Sequence, residues 1–148
     1  MKQLAFALLT CLGFLTSDAM AGGETPSNPQ AQGYIVNLDN GAVVSSPFTV
    51  VFGLSGMGVA PAGTDKAMTG HHHLLIDVPP FGQGEDGAEQ LESSIPADEN
   101  HIHFGGGQTE TVLDLPKGIH TLQLVLGDLN HVPHSPPVVS DVITITVD

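Results

Sequence analysis

Histidine is the residue whose number and spacing in this sequence most clearly indicate chemistry. The chain has eight histidines, and seven of them fall into three short groups. A neutral imidazole nitrogen is a common ligand for zinc and copper, with metal–nitrogen bonds of about 2.0–2.1 Å. Six histidines from the three groups are the candidate metal ligands: His71, His73, His101, His103, His131 and His134.

The spacing inside the first two groups fits ligands carried on β-strands. Residues i and i+2 of an extended chain point to the same side, so His71 and His73 of GHHHLLID share one face. The same rule places His101 and His103 together. His72 falls in line with the apolar residues that follow it, and we expect it to be a partly buried core residue rather than a ligand.

The third group and the single histidine have different settings. In NHVPHSPP the prolines stiffen the loop, so His131 and His134 lose little entropy on binding an ion. His120 lies in LPKGIHTL at the start of a predicted strand, where β-sandwiches often place a side chain that bonds to nearby backbone. We expect His120 to be a structural corner residue.

The elements that must position these histidines are predicted to be strands. Apolar residues alternate with polar ones, and Gly, Pro and Asn separate the short segments. This pattern is typical of an all-β protein, and we predict an immunoglobulin-like (fibronectin III-like) antiparallel β-sandwich of about seven strands. The clearest segments are 34–38, 48–54, 72–78, 109–115, 119–126 and 142–147.

An immunoglobulin-like order would also bring the histidine groups together. In that topology, three of the connections that join the strands meet at the same end of the sandwich. The first group would end one of these connections, the second would precede a strand, and the third would lie in the last connection. The prediction is therefore a single metal-binding region that contains all three groups.

Other polar residues have less specific patterns. Asp128 and Glu110 are candidates for a carboxylate that assists the imidazoles, although turn capping and strand exposure explain them equally well. The long connection 79–100 is acidic, contains a segment that could form one short helical turn, and lacks the spacing of a calcium loop. Whether it closes over the histidines is an open question at this point.

The charge balance excludes some partners. The chain has 3 basic and 16 acidic residues, which gives a formal net charge of −13. Binding to nucleic acid requires clustered Lys and Arg that neutralise phosphates, so nucleic acid is excluded as a partner. Anionic membrane surfaces are disfavoured for the same reason.

The first residues have the features of a secretory signal peptide. Segment 1–21 has a lysine near its start, an apolar stretch too short to span a bilayer, and small residues around a cleavage position near Ala21. We predict residues 22–33 to be a flexible lead-in and residues 34–148 to be one β-sandwich domain. The mature protein would be periplasmic or secreted and not inserted in the membrane. It would lack a thiol, since Cys11 leaves with the signal peptide.

Three motifs give the sequence a resemblance to a known family. GHHHLLID, HIHFGGGQTE and the run that contains HVPHSPP resemble a family of small exported bacterial β-sandwich domains whose function has not been established. The similarity extends from about Asn40 to Val147 and implies a fold but no activity. In size the chain is also similar to periplasmic copper-resistance carriers, but it lacks the leading histidine of that class after the predicted cleavage position.

The functional prediction is an exported histidine-rich domain that binds Cu or Zn for carriage, buffering or delivery. A periplasmic or membrane protein would supply or receive the ion. Cu(II) has the higher intrinsic affinity for imidazole, and affinity should fall as the pH drops through about 6.5. Two alternatives stay open: a small metalloenzyme with Asp128 or Glu110 as base, and a non-catalytic interaction module with a pH-sensitive histidine surface.

Overall fold

Short strands make up most of the regular structure. The computed structural model describes residues 23–148, so the predicted signal peptide 1–21 lies outside the described residues. Within 23–148 there are nine strands and one helix, and none of these helical residues forms a segment long and apolar enough to cross a bilayer. The elements are β1 (Gln32–Ile35), β2 (Val43–Val44), β3 (Phe48–Ser55), β4 (Gly58–Val59), β5 (Thr69–Ile76), α1 (Gly87–Glu92), β6 (His101–His103), β7 (Glu110–Leu113), β8 (Gly118–Gly127) and β9 (Ile143–Val147).

The strands form two sheets packed face to face, which confirms the prediction of an all-β sandwich. The smaller sheet has the order β1-β3-β7, and the larger has the order β2-β9-β8-β5-β4. Strand β6 also pairs with β5, so the short strands β4 and β6 share one edge of β5. The finer assignment to an immunoglobulin-like fold stays a prediction.

The main core lies between the two sheets and follows from the period of two. In β3 the residues Phe48, Val50 and Phe52 point inward, while Thr49 is exposed. Each large apolar side chain that is fully buried contributes roughly 1.5–3 kcal/mol. Residues from the larger sheet complete this core: Leu74, Ile76, Leu122, Leu124, Ile143, Ile145 and Val147.

The outer face of the larger sheet is also covered, because the acidic connection 79–100 packs against it. A second apolar cluster joins Leu75 and Val125 of the sheet to Phe81, Leu91 and Ile95 of this connection. Helix α1 buries Leu91 and keeps its carboxylates exposed. The connection is therefore a cover, here called the cover segment (79–100), and it explains why β5 and β8 are apolar on both faces.

The described part of the predicted lead-in is hydrogen-bonded to the loop between β8 and β9. The amide of Gly23 donates to the carbonyl of Pro133 at 3.0 Å. The amide of Ser27 donates to the carbonyl of Ser135 at 3.0 Å, and the amide of Ser135 donates to the carbonyl of Thr25 at 2.9 Å. This N-terminal segment supports a loop that also carries His131.

His120 lies in the first half of β8, away from the other histidines of the larger sheet. Its Nδ1 donates to the Asp77 carboxylate at 2.6 Å, and its Nε2 donates to the carbonyl of Pro116 at 2.9 Å. Both contacts are made together only by the protonated ring. The hydrogen bond to Asp77 is the main reason that the pKa of His120 is raised above its ordinary value of 6.5. This is the corner role that the sequence predicted.

We predict that the His120–Asp77 pair makes stability depend on pH. A raised folded-state pKa gives stability that is complete below the unfolded pKa of 6.5 and is lost as the pH rises through the folded pKa. Urea unfolding should show that His120→Gln lowers the free energy of unfolding by about 1 kcal/mol at about pH 5.5 and by less at about pH 9.

Asp77→Asn is the matched control, since Asp77 has φ 55° and asparagine also tolerates this conformation. Introducing His120→Gln on that background should give no such difference between the two pH values. An equal loss at both pH values in the parent protein would contradict this account.

Candidate metal centre

Strand β5 places two histidines on the outer face of the larger sheet. His71 and His73 are both fully buried, and their ring centroids are 4.9 Å apart. His72 points to the opposite face, where its ring lies 5.3 Å from the ring of Phe52 in the main core. The alternation predicted for GHHHLLID is therefore present, and it separates two candidate ligands from one core residue.

Strand β6 brings a third imidazole to the same face. His103 pairs directly with His73 in the antiparallel ladder, so both side chains emerge on one side of the sheet. Their ring centroids are 5.0 Å apart. Because β5 also pairs with β8 along its other edge, His71, His73 and His103 all stand on hydrogen-bonded strands.

The fourth imidazole comes from the loop between β8 and β9. His131 has φ 68°, an uncommon value for a residue other than glycine. The loop is shaped by Asp128, whose buried carboxylate accepts hydrogen bonds from the amides of Asn130 and Val132 and from Thr25 Oγ1. The His131 carbonyl accepts a hydrogen bond from the amide of Ile95 in the cover segment.

These four side chains form the only group of three or more possible metal-binding His, Cys, Asp or Glu residues within 23–148. One nitrogen from each of His71, His73, His103 and His131 lies within 4.8 Å of the other three. His71 Nε2 is 3.1 Å from both His131 Nδ1 and His73 Nε2. A tetrahedral zinc ion with bonds of 2.0–2.1 Å would separate its nitrogens by about 3.3 Å. The cluster, here called the four-histidine cluster, could hold a metal ion.

The two contacts of His71 Nε2 cannot both be good hydrogen bonds. An aromatic ring nitrogen has either one proton or one lone pair in the ring plane. His71 Nε2 can share one proton with one neighbour, which leaves the second 3.1 Å contact without a proton directed along it. A cation at the centre would accept all the lone pairs and remove this conflict.

Burial keeps the central rings neutral. The pKa of His71 is lowered to about 4, mainly by burial and also by the nearby rings of His131 and His103. The pKa of His73 falls to about 3 for the same reasons, with burial the largest cause. Burial and His131 also lower the pKa of His103. Neutral rings have lone pairs available for a metal ion. The pKa values of these rings lie below the ordinary value near 6.5, on which the predicted pH dependence of affinity was based.

The structure does not bring the other two predicted ligands to this cluster. His101 shares a strand with His103, but its Nδ1 contacts the Asp98 carboxylate at 2.8 Å. His134 is fully buried, with Nε2 3.1 Å from the carbonyl oxygen of Thr69. His71 and His73, His103 and His131 thus bring one or two members of each histidine group together, on the outer face of the larger sheet.

The predicted carboxylate partners are also placed apart from the ring nitrogens. Asp128 uses its carboxylate to shape the loop, as described above, although its charge still favours the protonated form of His71. Glu110 lies on β7 in the smaller sheet and is exposed. Neither residue is a member of the four-histidine cluster.

One family model matches the part of the chain that contains the four-histidine cluster. The match covers residues 50–148 and therefore contains β5, β6, β8 and all four clustered histidines. The chain belongs to the DUF4399 family. This family is described as a domain of unknown function, in agreement with the resemblance found in the sequence. No curated protein and no solved structure shows a significant match to the chain.

Two glycines in the DUF4399 match make room for the imidazoles, and neither was among the predicted site residues. Gly127 pairs with His71, and a Cβ there would lie 2.9 Å from His73 Nε2 and 3.3 Å from the His131 Cα. A Cβ on Gly105 would lie 2.4 Å from the ring of His103. For Gly127 a signal was present, since a glycine at the end of an apolar strand pattern can mark a close approach.

We predict that Gly127→Ala weakens metal binding in this DUF4399 protein without changing any ligand. The added methyl group would displace the His73 ring, and the Zn(II) affinity measured by calorimetry should fall by at least about ten-fold. Gly33→Ala is the control, because a Cβ there meets nothing closer than 3.7 Å. Equal affinities in the two variants would show that Gly127 does not shape the site.

Proposed function

We propose that the protein is an exported metal-binding domain in which His71, His73, His103 and His131 hold one copper or zinc ion for carriage, buffering or delivery. The observation that carries the proposal is the pair of 3.1 Å contacts at His71 Nε2. Imidazole nitrogens this close, two of them on fully buried rings, are stabilised by a cation that all of them can bind.

Carriage fits the cluster better than catalysis. Catalytic zinc sites use three protein ligands and keep one position for water or substrate, whereas closed sites use four. The cluster supplies four imidazoles, which fill a tetrahedral shell. The carboxylates suggested as bases are also occupied elsewhere or exposed on the other sheet.

The pH-sensitive surface has less support than the metal site. A binding surface that responds to pH requires exposed imidazoles with pKa values near neutrality. His71 and His73 are fully buried, and burial lowers the pKa of each. The half-buried side of the cluster, at His103 and His131, serves instead as the route by which an ion enters.

The cellular setting is part of the same proposal. The predicted signal peptide would send the protein to the periplasm or the medium. There, a periplasmic or membrane protein would load the ion or receive it. Exchange through His103 and His131 suits such a transfer, since these two ligands are nearest to solvent.

We predict that replacing the two accessible ligands abolishes tight binding. A four-ligand zinc site contributes about 10–16 kcal/mol, which is roughly 3 kcal/mol for each ligand. The double substitution His103→Ala and His131→Ala should therefore lower the Cu(II) and Zn(II) affinities by at least about 1,000-fold in calorimetry of tag-free, chelator-stripped protein.

His101→Ala is the matched control, because it removes an imidazole from the same short strand but outside the cluster. The Cu(II) and Zn(II) affinities of this variant should stay within about three-fold of the parent values, since His101 is not a member of the cluster. If the double variant bound both ions as tightly as His101→Ala, the four-histidine cluster would not be the site.

We predict a smaller effect of pH on affinity than four ordinary histidines would give. An imidazole with a pKa of 6.5 loses about ten-fold in metal affinity between about pH 7.5 and pH 5.5, so four would lose about 10,000-fold. With the pKa of His71 near 4 and that of His73 near 3, protons compete for these rings only at lower pH. The measured loss should be no more than about 100-fold, and a loss near 10,000-fold would contradict this.

A further inference from the structure

We infer that the geometry of the four-histidine cluster shifts its selectivity toward Zn(II), which accepts tetrahedral coordination, and away from Cu(II). This inference rests on the proposed function and names the ion that the same site is built to hold. It goes against the intrinsic order of affinities, in which Cu(II) exceeds Zn(II) for nitrogen ligands. The geometry of the four rings carries the argument.

The six distances between ring centroids describe a tetrahedron. Five of them lie between 4.6 and 5.0 Å, and the sixth, between His73 and His131, is 6.0 Å. With metal–nitrogen bonds of about 2.05 Å and a ring radius of about 1.1 Å, tetrahedral imidazoles place every pair of centroids about 5.2 Å apart. The observed values centre on this distance.

A square arrangement does not fit the same distances. Four coplanar ligands would give four sides of about 4.5 Å and two diagonals of about 6.3 Å. If His73–His131 were one diagonal, His71–His103 would be the other. That second pair is 5.0 Å apart, a distance no longer than that between His73 and His103. The cluster is therefore far from the tetragonal geometry that Cu(II) prefers.

The surrounding structure resists a change toward the square. His71, His73 and His103 stand on paired strands, and the first two rings are fully buried. The backbone of Gly127 lies against the His73 ring. Flattening the four rings would require these strands to shift in a packed interior, where even small displacements are unfavourable.

The ligand type narrows the choice further. Cu(I) also accepts tetrahedral coordination, but it favours soft sulfur ligands, and all four members of the cluster are imidazoles. Magnesium, calcium and manganese favour oxygen ligands. Zn(II) has no geometric preference of its own and accepts four nitrogens in a tetrahedron.

The test compares metals in the same protein. Tag-free, chelator-stripped protein is titrated with Zn(II) and with Cu(II) against a competing chelator, and Co(II) is added as a probe of geometry. We expect the Cu(II)-to-Zn(II) affinity ratio to be at least about 100-fold lower than the ratio measured for free imidazole. The Co(II) form should show the intense visible absorption of a four-coordinate ion.

His131→Ala provides an internal comparison, because it removes one ligand and so leaves the remaining three free of the tetrahedral arrangement. Its Zn(II) affinity should fall by about 100-fold or more. The fall in its Cu(II) affinity should be at least about ten-fold smaller, because a water molecule can occupy the open coordination position. The ratio should therefore rise toward that of free imidazole. The variant His101→Ala should leave the ratio and the Co(II) spectrum unchanged.

The possible failures are distinguishable. A Cu(II)-to-Zn(II) ratio equal to that of free imidazole, with a six-coordinate Co(II) spectrum, would overturn the selectivity and leave metal binding in place. Failure of Zn(II), Cu(II) and Co(II) alike to bind above the level of the double variant His103→Ala/His131→Ala would overturn the proposed function itself.

Discussion

The mutual approach of four imidazoles, two of them fully buried, is the constraint on which this structure depends. Four ring nitrogens lie within 4.8 Å of one another, and burial and the neighbouring rings together hold the pKa values of His71 and His73 far below 6.5. Protons cannot satisfy such an arrangement, because a second charged ring in the same space would be strongly repelled. A single divalent ion can satisfy it, since one cation can accept lone pairs from several imidazole nitrogens.

The scaffold supplies the conditions for this arrangement. A sheet exposed to water on its outer face would leave its imidazoles solvated and free to move, but the cover segment packs beside them through Phe81, Leu91 and Ile95. The strands fix three ligands in register, and glycine at position 127 leaves the space that a side chain would otherwise fill. Apolar packing thus helps to bury His71 and His73, and strand pairing holds three of the four rings in register.

The fold and part of the site were predictable from the sequence because both depend on a local period. Alternation in 72–78 identifies which face each histidine of β5 occupies, and the structure agrees. The choice between His101 and His103 was not predictable, since both share a face. It depends on Asp98, which contacts His101, and on the register that places His103 opposite His73.

The exclusion of His134 and the role of Gly127 depend on tertiary contacts in the same way. His134 is buried against the carbonyl of Leu126, eight residues before it, and that of Thr69, 65 residues before it. No local sequence pattern indicates the contact with Thr69. The sequence of the cover segment is typical of a polar loop, because its apolar residues are few and widely spaced. It packs against the sheet because β5 and β8 would otherwise expose apolar side chains on their outer face.

The hydrogen bond from the Ile95 amide to the His131 carbonyl has a thermodynamic meaning of its own. It joins the one clustered histidine that a loop carries to the cover segment, which shields the outer face of the sheet. Linkage is reciprocal: an ion that fixes His131 also stabilises the shield, and anything that loosens the shield weakens the hold on the ion. The residence time of an ion bound at the four-histidine cluster would therefore be adjustable from a surface that does not contact the ion.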